Sequence, residues 1–186
     1  MNKQPTFDPS RLFFLDETNA NTRMHRSYGR GPIGERVPDA IPYRHYESTT
    51  LLSVISLQGV MASLVYEGGT DVPAMETFIE WQLTKVLRPG DILVMDNLAS
   101  HKSATIQQML TDIGVKVELL PPYSPDFNPI ENMFSKMKAY LKKIMQEATE
   151  PLWQLIGKAL ATITTSDIAG FFRHCGYQPA CVKTQM

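Results

Sequence analysis

Two short apolar runs in this chain each finish in an aspartate: RLFFLD, residues 11 to 16, and DILVMD, residues 91 to 96. Such runs read as buried strands. Ligand sites in open α/β sheets lie beyond the carboxyl ends of strands. Asp16 and Asp96 therefore share a site only if the two strands are neighbours in one sheet. Taken singly, Asp16 reads better as a cap on the turn after its strand, and Asp96 is explained about as well that way. Glu17 adjoins Asp16, but adjacent strand residues face opposite ways, so only one of the two points into a shared site, and Asp16 is the choice.

The remaining pattern predicts such a sheet. TTLLSVISL (49 to 57) and VMASLVY (60 to 66), split by Gln58-Gly59, predict an antiparallel hairpin. Phe78, Ile79, Leu83, Val86 and Leu87 then stand at helical spacing, which predicts a helix from about 72 to 87 ended by Arg88-Pro89-Gly90. After DILVMD, a helix from near His101 to Ile113 stops at Gly114, and GVKVELL (114 to 120) follows. Strand, helix, strand is a parallel crossover unit. The sum is an α/β chain with a mixed five-stranded sheet flanked by helices. Asn128, Pro129 and Glu131 open a further helix to about Glu147, Pro151 starts one to about Ile163, and a short one covers Ser166 to His174. The expected organisation is one domain over 1–148 with a helical extension, 149–186.

At 186 residues the chain is long enough for one well-packed domain. It is 43% hydrophobic and 20% charged, with no apolar run near the roughly 18 residues that span a bilayer, so no membrane role is implied. MNKQPTFDPSRLFF lacks the pattern of a secretory signal, and the expected location is the cytoplasm. Cys175 and Cys181 lack zinc-ligand spacing and read as bystanders. A net charge of -1 counts against nucleic-acid binding, which normally calls for surplus Lys and Arg. The charge is uneven, however: Arg23, Arg26, Arg30 and Arg36 face one acid, Glu35, within residues 23 to 36, and Lys136, Lys138, Lys142 and Lys143 cluster later. Charge runs by themselves read as solvated faces. Only their proximity to acidic motifs raises the nucleic-acid reading.

The third acid is Glu131, with 34 residues, 97 to 130, between it and Asp96. Asn128-Pro129-Ile130-Glu131 on its own reads as a capping box, the glutamate reaching back to the cap residue's amide. The preceding PPYSPDF shifts that balance, because its prolines fix where the helix begins and so where its first-turn side chains point. Asp16, Asp96 and Glu131 then make three carboxylates at separated points of one chain. Hard divalent cations bind oxygen, and a phosphodiester held between two of them is cut or joined. Asn97 and His101 either contact a metal-bound phosphate or cap the helix beginning there.

LDET, GRGPIGERV, VMDNLASHKS and LPPYSPDFNPIE followed by a Lys-rich helix resemble the DDE catalytic domain of transposases of the mariner superfamily, in the bacterial insertion-sequence branch of the IS-six-thirty type. The resemblance runs from about Arg11 to Leu141, and PPYSPDFNPIE is its most specific segment. It implies a ribonuclease-H-like fold, two Mg²⁺ or Mn²⁺ ions on Asp16, Asp96 and Glu131, and DNA cleavage at element ends followed by strand transfer. It further implies double-stranded terminal-repeat DNA as partner, a TA target, a homodimer on paired ends and a nucleoid-associated protein of the bacterial cytoplasm. Arg23, Arg26 and Arg30, then Lys136 and Lys138, are the candidate phosphate contacts. Members of the family carry an N-terminal helix-turn-helix reader. This chain begins almost at the first catalytic strand, which suggests a split frame whose reader is a separate protein, a remnant or an isolated catalytic domain. The alternative function is a non-catalytic derivative that binds DNA or full-length transposase as a regulator. A phosphatase or α/β hydrolase would call for a DxD or a nucleophile elbow with a His partner, and neither is present.

Overall fold

The computed structural model describes residues 7–25, 29–38, 46–97, 103–122, 124–145 and 148–177. Its centre is β1 (Leu12–Asn21), whose alternating side chains face two helical layers. Leu12 and Phe14 join one core, Phe13 and Leu15 the other. β1 pairs antiparallel with β2 (Ser48–Ser56), and β2 with β3 (Gly59–Tyr66). On its other side β1 runs parallel to β4 (Ile92–Met95), which runs parallel to β5 (Lys116–Leu119). The order β3-β2-β1-β4-β5 is the expected mixed five-stranded sheet, and the two strands expected to carry aspartates are neighbours.

One boundary differs from expectation. β1 does not stop at Asp16 but continues to Asn21, paired with β2 as far as Asn21↔Ser48. Residues 17 to 21, ETNAN, give no apolar run to read. They are held by the antiparallel ladder and by cross-strand bonds such as Thr50 Oγ1 donating to Asn19 Oδ1 at 2.9 Å.

One helical layer covers Phe13, Leu15 and Leu93. α1 (Val72–Phe78) starts where the Asp71 side chain accepts from Ala74 N–H at 2.9 Å. It passes through a π-helical stretch (Ile79–Leu83) into α2 (Thr84–Val86), so the single helix expected over this span is regular only at its ends. Met75, Phe78, Ile79 and Leu83 are buried there beside Ile106 and Leu110 of α3 (Ala104–Ile113). α3 ends as expected at Gly114, whose φ of 80° lets its own N–H reach Thr111 O and Val115 N–H reach Leu110 O.

The opposite layer holds α4 (Pro129–Ile144), α5 (Leu152–Leu160) and α6 (Thr165–His174). Ile130, Met133, Phe134, Met137 and Leu141 form the buried stripe of α4. α6 is fixed by a capping box between Thr164 and Asp167. Phe172 meets Phe14 edge-on at 5.3 Å, and Tyr177 meets Phe14 at 5.0 Å, so the C-terminal helices share a core with the central strand. Cys175 is buried there, and Cys181 lies outside the described residues. Among the described residues no helix is long and apolar enough to cross a membrane.

Because Phe172 is fully buried against β1, Phe172→Ala is expected to cost roughly 3–5 kcal/mol. Urea unfolding followed by both circular dichroism and tryptophan fluorescence checks this, with one shared transition moved to lower denaturant. Trp153 on α5 supplies a signal from the same layer.

Candidate active site

The parallel register of β1 and β4 ends at Leu15↔Met95. One step further along both strands stand Asp16 and Asp96, so the pairing itself delivers them side by side. Alternation sets their direction: Phe14 and Val94 face the α4 layer, and Asp16 and Asp96, two residues on, follow the same parity. The site thus lies at the carboxyl end of β4, as expected, but in the interior of β1 rather than at its end. β5 closes the far side, with Leu120 N–H donating to Met95 O at 2.8 Å. Glu17 also borders the cleft, contrary to the expectation that Asp16 alone of the pair would reach it.

The loop from Pro121 delivers the third acid. A 3-10 turn (Pro125–Phe127) lets Asn128 N–H donate to Pro125 O at 2.9 Å, and the Tyr177 hydroxyl donates to Phe127 O at 2.9 Å. Pro129 then opens α4, and Glu131 stands exposed in its first turn. Asn128 holds the N-cap position, yet its side chain makes no cap hydrogen bond. The capping-box reading of Asn128 and Glu131 is therefore not what forms. Instead Asn128 Nδ2 donates to Asp16 Oδ2 at 2.7 Å, across 112 positions of sequence, with both residues buried. Sequence reasoning assigned Asn128 only a capping role. The sole signal available was its place three residues before Glu131.

Asp16, Asp96 and Glu131 all border one cleft of about 580 Å³. Burial pushes the Asp16 carboxyl up to about 7, and the negative charges of Glu131, Asp96 and Glu17 push the same way. The Glu17 N–H, donating to Asp16 Oδ1 at 2.8 Å, opposes this. No lysine or arginine among the described residues borders the cleft. The described residues also contain no closed group of three His, Cys, Asp or Glu side chains, so the acids face one space without yet converging on a point. An all-oxygen donor set and a buried carboxylate resisting ionisation fit a hard divalent cation such as Mg²⁺ or Mn²⁺.

The other expected residues are scattered. Asn97 borders the cleft and is not the cap of α3, which begins at Ala104 with Ser103 before it. His101 and Arg26 lie outside the described residues. Arg23 and Arg30 are exposed and away from the cleft, and the Arg23 guanidinium lies 5.0 Å from the centre of the Tyr46 ring. Lys136 pairs with Asp167 at 2.5 Å, tying α4 to the cap of α6, whereas Lys138 is half-buried on α4 and outside the cleft.

Asp16 gives the site a pH signature. Its carboxyl titrates near 7 in the fold against 3.8 in the unfolded chain, so the fold binds that proton more tightly. The associated stability is fully present below about pH 4 and is lost as pH rises through about 7. Without divalent ions, the wild type is expected to lose thermal stability between pH 5 and 8. Asp16→Asn should be flatter over that window and more stable at pH 8 by on the order of 1–3 kcal/mol. Melting curves in chelator across the window check this.

Residues 11–151 match the family model described as DDE superfamily endonuclease. No curated protein matches the chain in sequence. Among solved structures, the Mos1 mariner paired-end complex with Mn is similar with a TM-score of 0.74 at 17% identity, over 94% of this chain and 55% of that one. The Mos1 transposase paired-end complex with left transposon end gives 0.71 at 18%, over 89% and 52%. A simian T-cell lymphotropic virus intasome in complex with PP2A regulatory subunit B56 gamma gives 0.59 at 15%, over 83% and 48%. The chain spans about half the length of these structures. The sheet order and flanking helices are those of the ribonuclease-H-like fold of the Mos1 catalytic domain. The family match runs from the start of β1 past the end of α4 and so takes in all three acids: the chain belongs to the DDE superfamily endonucleases.

Proposed function

We propose that this chain is the catalytic domain of a transposase, carrying out metal-dependent DNA cleavage at element ends and then strand transfer. The observation that carries the reading is the meeting of Asp16, Asp96 and Glu131 at one negative cleft, with the Asp16 carboxyl pushed up to about 7 by burial first and by its neighbours' negative charge second. Asp16 and Asp96 would hold Mg²⁺ or Mn²⁺ from the sheet and Glu131 from the first turn of α4. Two bound ions would lower the pKa of a nucleophilic water or 3′-hydroxyl and neutralise charge building on the phosphodiester. The solved Mos1 complexes that name Mn and Mg support that choice of metal.

The chain's own groups supply placement. The sheet fixes two carboxylates rigidly, and the proline-bounded loop fixes the start of α4 and hence the third. Asn97, on the cleft wall, and His101 would contact the scissile phosphate. Arg23, Arg26, Arg30 and Lys138 would meet backbone phosphates, and Lys136 would do so only by exchanging its pairing with Asp167. We further infer membership of the bacterial insertion-sequence branch, a TA target, a homodimer on paired double-stranded element ends and action at the nucleoid. Terminal-repeat recognition would fall to a helix-turn-helix protein acting with residues 1–148 as catalytic unit and 149–186 as its helical extension.

The open spacing of the acids favours one second reading, a non-catalytic derivative that binds DNA or full-length transposase as a regulator. Nicking and strand-transfer assays on terminal-repeat DNA with Mg²⁺ or Mn²⁺ separate the two. Asp96→Asn is expected to lower activity by at least roughly 10³-fold. Equal activity in both proteins would sink the catalytic assignment, and inactivity of both, even with a helix-turn-helix partner added, would favour the regulator.

Metal binding has its own readout. At pH 8, Mn²⁺ at a hundredfold excess over its dissociation constant should stabilise the wild type by about 2.7 kcal/mol. Asp16→Asn should show little of that gain in thermal melts.

A further inference from the structure

We infer that Asn128 is a positioning residue, which fixes Asp16 against the helix that carries Glu131. The inference deepens the metal-site reading above and rests on it. Asn128 joins the two halves of the site directly: its Nδ2 donates to Asp16 Oδ2 at 2.7 Å, and its backbone carbonyl accepts from Glu131 N–H at 3.2 Å. One residue thus holds the carboxylate on β1 through its side chain and the first turn of α4 through its main chain.

The local energetics run against a purely structural role. An asparagine at an N-cap ordinarily turns its side-chain oxygen onto a free amide of the first turn. Here that bond is not made. The amide is turned to Asp16, and Asn128 Oδ1 is left buried with no hydrogen-bond partner among the described residues. Residue 128 is only 4% exposed and borders the cleft, so this oxygen is held where its desolvation is not offset. A side chain that gives up a cap and leaves an oxygen unpaired is set by what its nitrogen holds. Its approach is enforced by the 3-10 turn before it, the Tyr177 bond to Phe127 O and the fixed ring of Pro129.

A carboxylate held by one donor on each oxygen, Asn128 Nδ2 on Oδ2 and the Glu17 N–H on Oδ1, keeps its remaining lone pairs for a cation, and its rotamer is chosen before the cation arrives. Groups that orient metal ligands in this way typically change metal affinity 10- to 100-fold when lost. Asn128→Leu keeps the volume and removes both polar atoms, so packing is preserved while the donor is deleted.

The test is Mn²⁺ titration of the full chain, with free Mn²⁺ followed by electron paramagnetic resonance and folding by circular dichroism. Asn128→Leu, folded as the wild type, is expected to bind Mn²⁺ roughly 10- to 100-fold more weakly. Asp16→Asn is expected to lose nearly all binding. Wild-type affinity in Asn128→Leu, with binding lost in Asp16→Asn, would overturn the positioning role and leave the metal site standing. Wild-type affinity in Asp16→Asn would instead overturn the metal site itself. If the leucine variant does not fold, Asn128→Ala is read by the same outcomes.

Discussion

Four residue pairs along β1 and β4 determine where everything chemical in this chain can be. Their parallel register ends at Leu15↔Met95, so the next residues, Asp16 and Asp96, emerge together and on the α4 side of the sheet. A shift of one residue in either strand would turn one aspartate toward the opposite layer. That register is held by the apolar alternation itself, since Leu12 and Phe14 must meet α4 to α6 while Phe13 and Leu15 meet α1 to α3. The site is therefore a consequence of core packing on both faces.

What the packing creates is electrostatically unfavourable on its own. Three carboxylates share a cleft with no described cation on its walls, and the most buried of them resists ionisation up to about pH 7. Ionising that buried carboxylate lowers stability, and folds tolerate this where function requires it. Two apolar core clusters, one on each face of the sheet, and an aromatic group of Phe14, Phe172 and Tyr177 supply the stability that tolerates it. Tyr177 also fixes the loop before α4, which links the C-terminal end of the described chain to the placement of Glu131.

Much of this was legible in the residues. Short apolar runs gave all five strands and a 3.6-residue period the main helices, because a central strand is buried on both faces while a helix is buried along one stripe. The crossover unit made β4 and β5 legible as neighbours, but it says nothing of β1, and the pairing of β1 with β4 stood only as a condition because no local pattern states strand order. The polar second half of β1 was not legible, because ETNAN is held by its partner strand rather than by its own apolarity. Asn128 was read as a cap, which every local rule favours, and only the tertiary approach of Asp16 turns its amide away. Lys136 was read as a free cation for the same reason, its partner Asp167 being 31 positions further on and invisible to local pattern.

The central claim is that Asp16, Asp96 and Glu131 together hold divalent metal. Anomalous diffraction from crystals of this chain equilibrated with Mn²⁺ tests it most directly. The expected result is anomalous density within the cleft, coordinated by Asp16 and Asp96, with the Glu131 carboxylate drawn toward it. Ordered Mn²⁺ elsewhere on the molecule, with the cleft empty at saturating concentration, would contradict it.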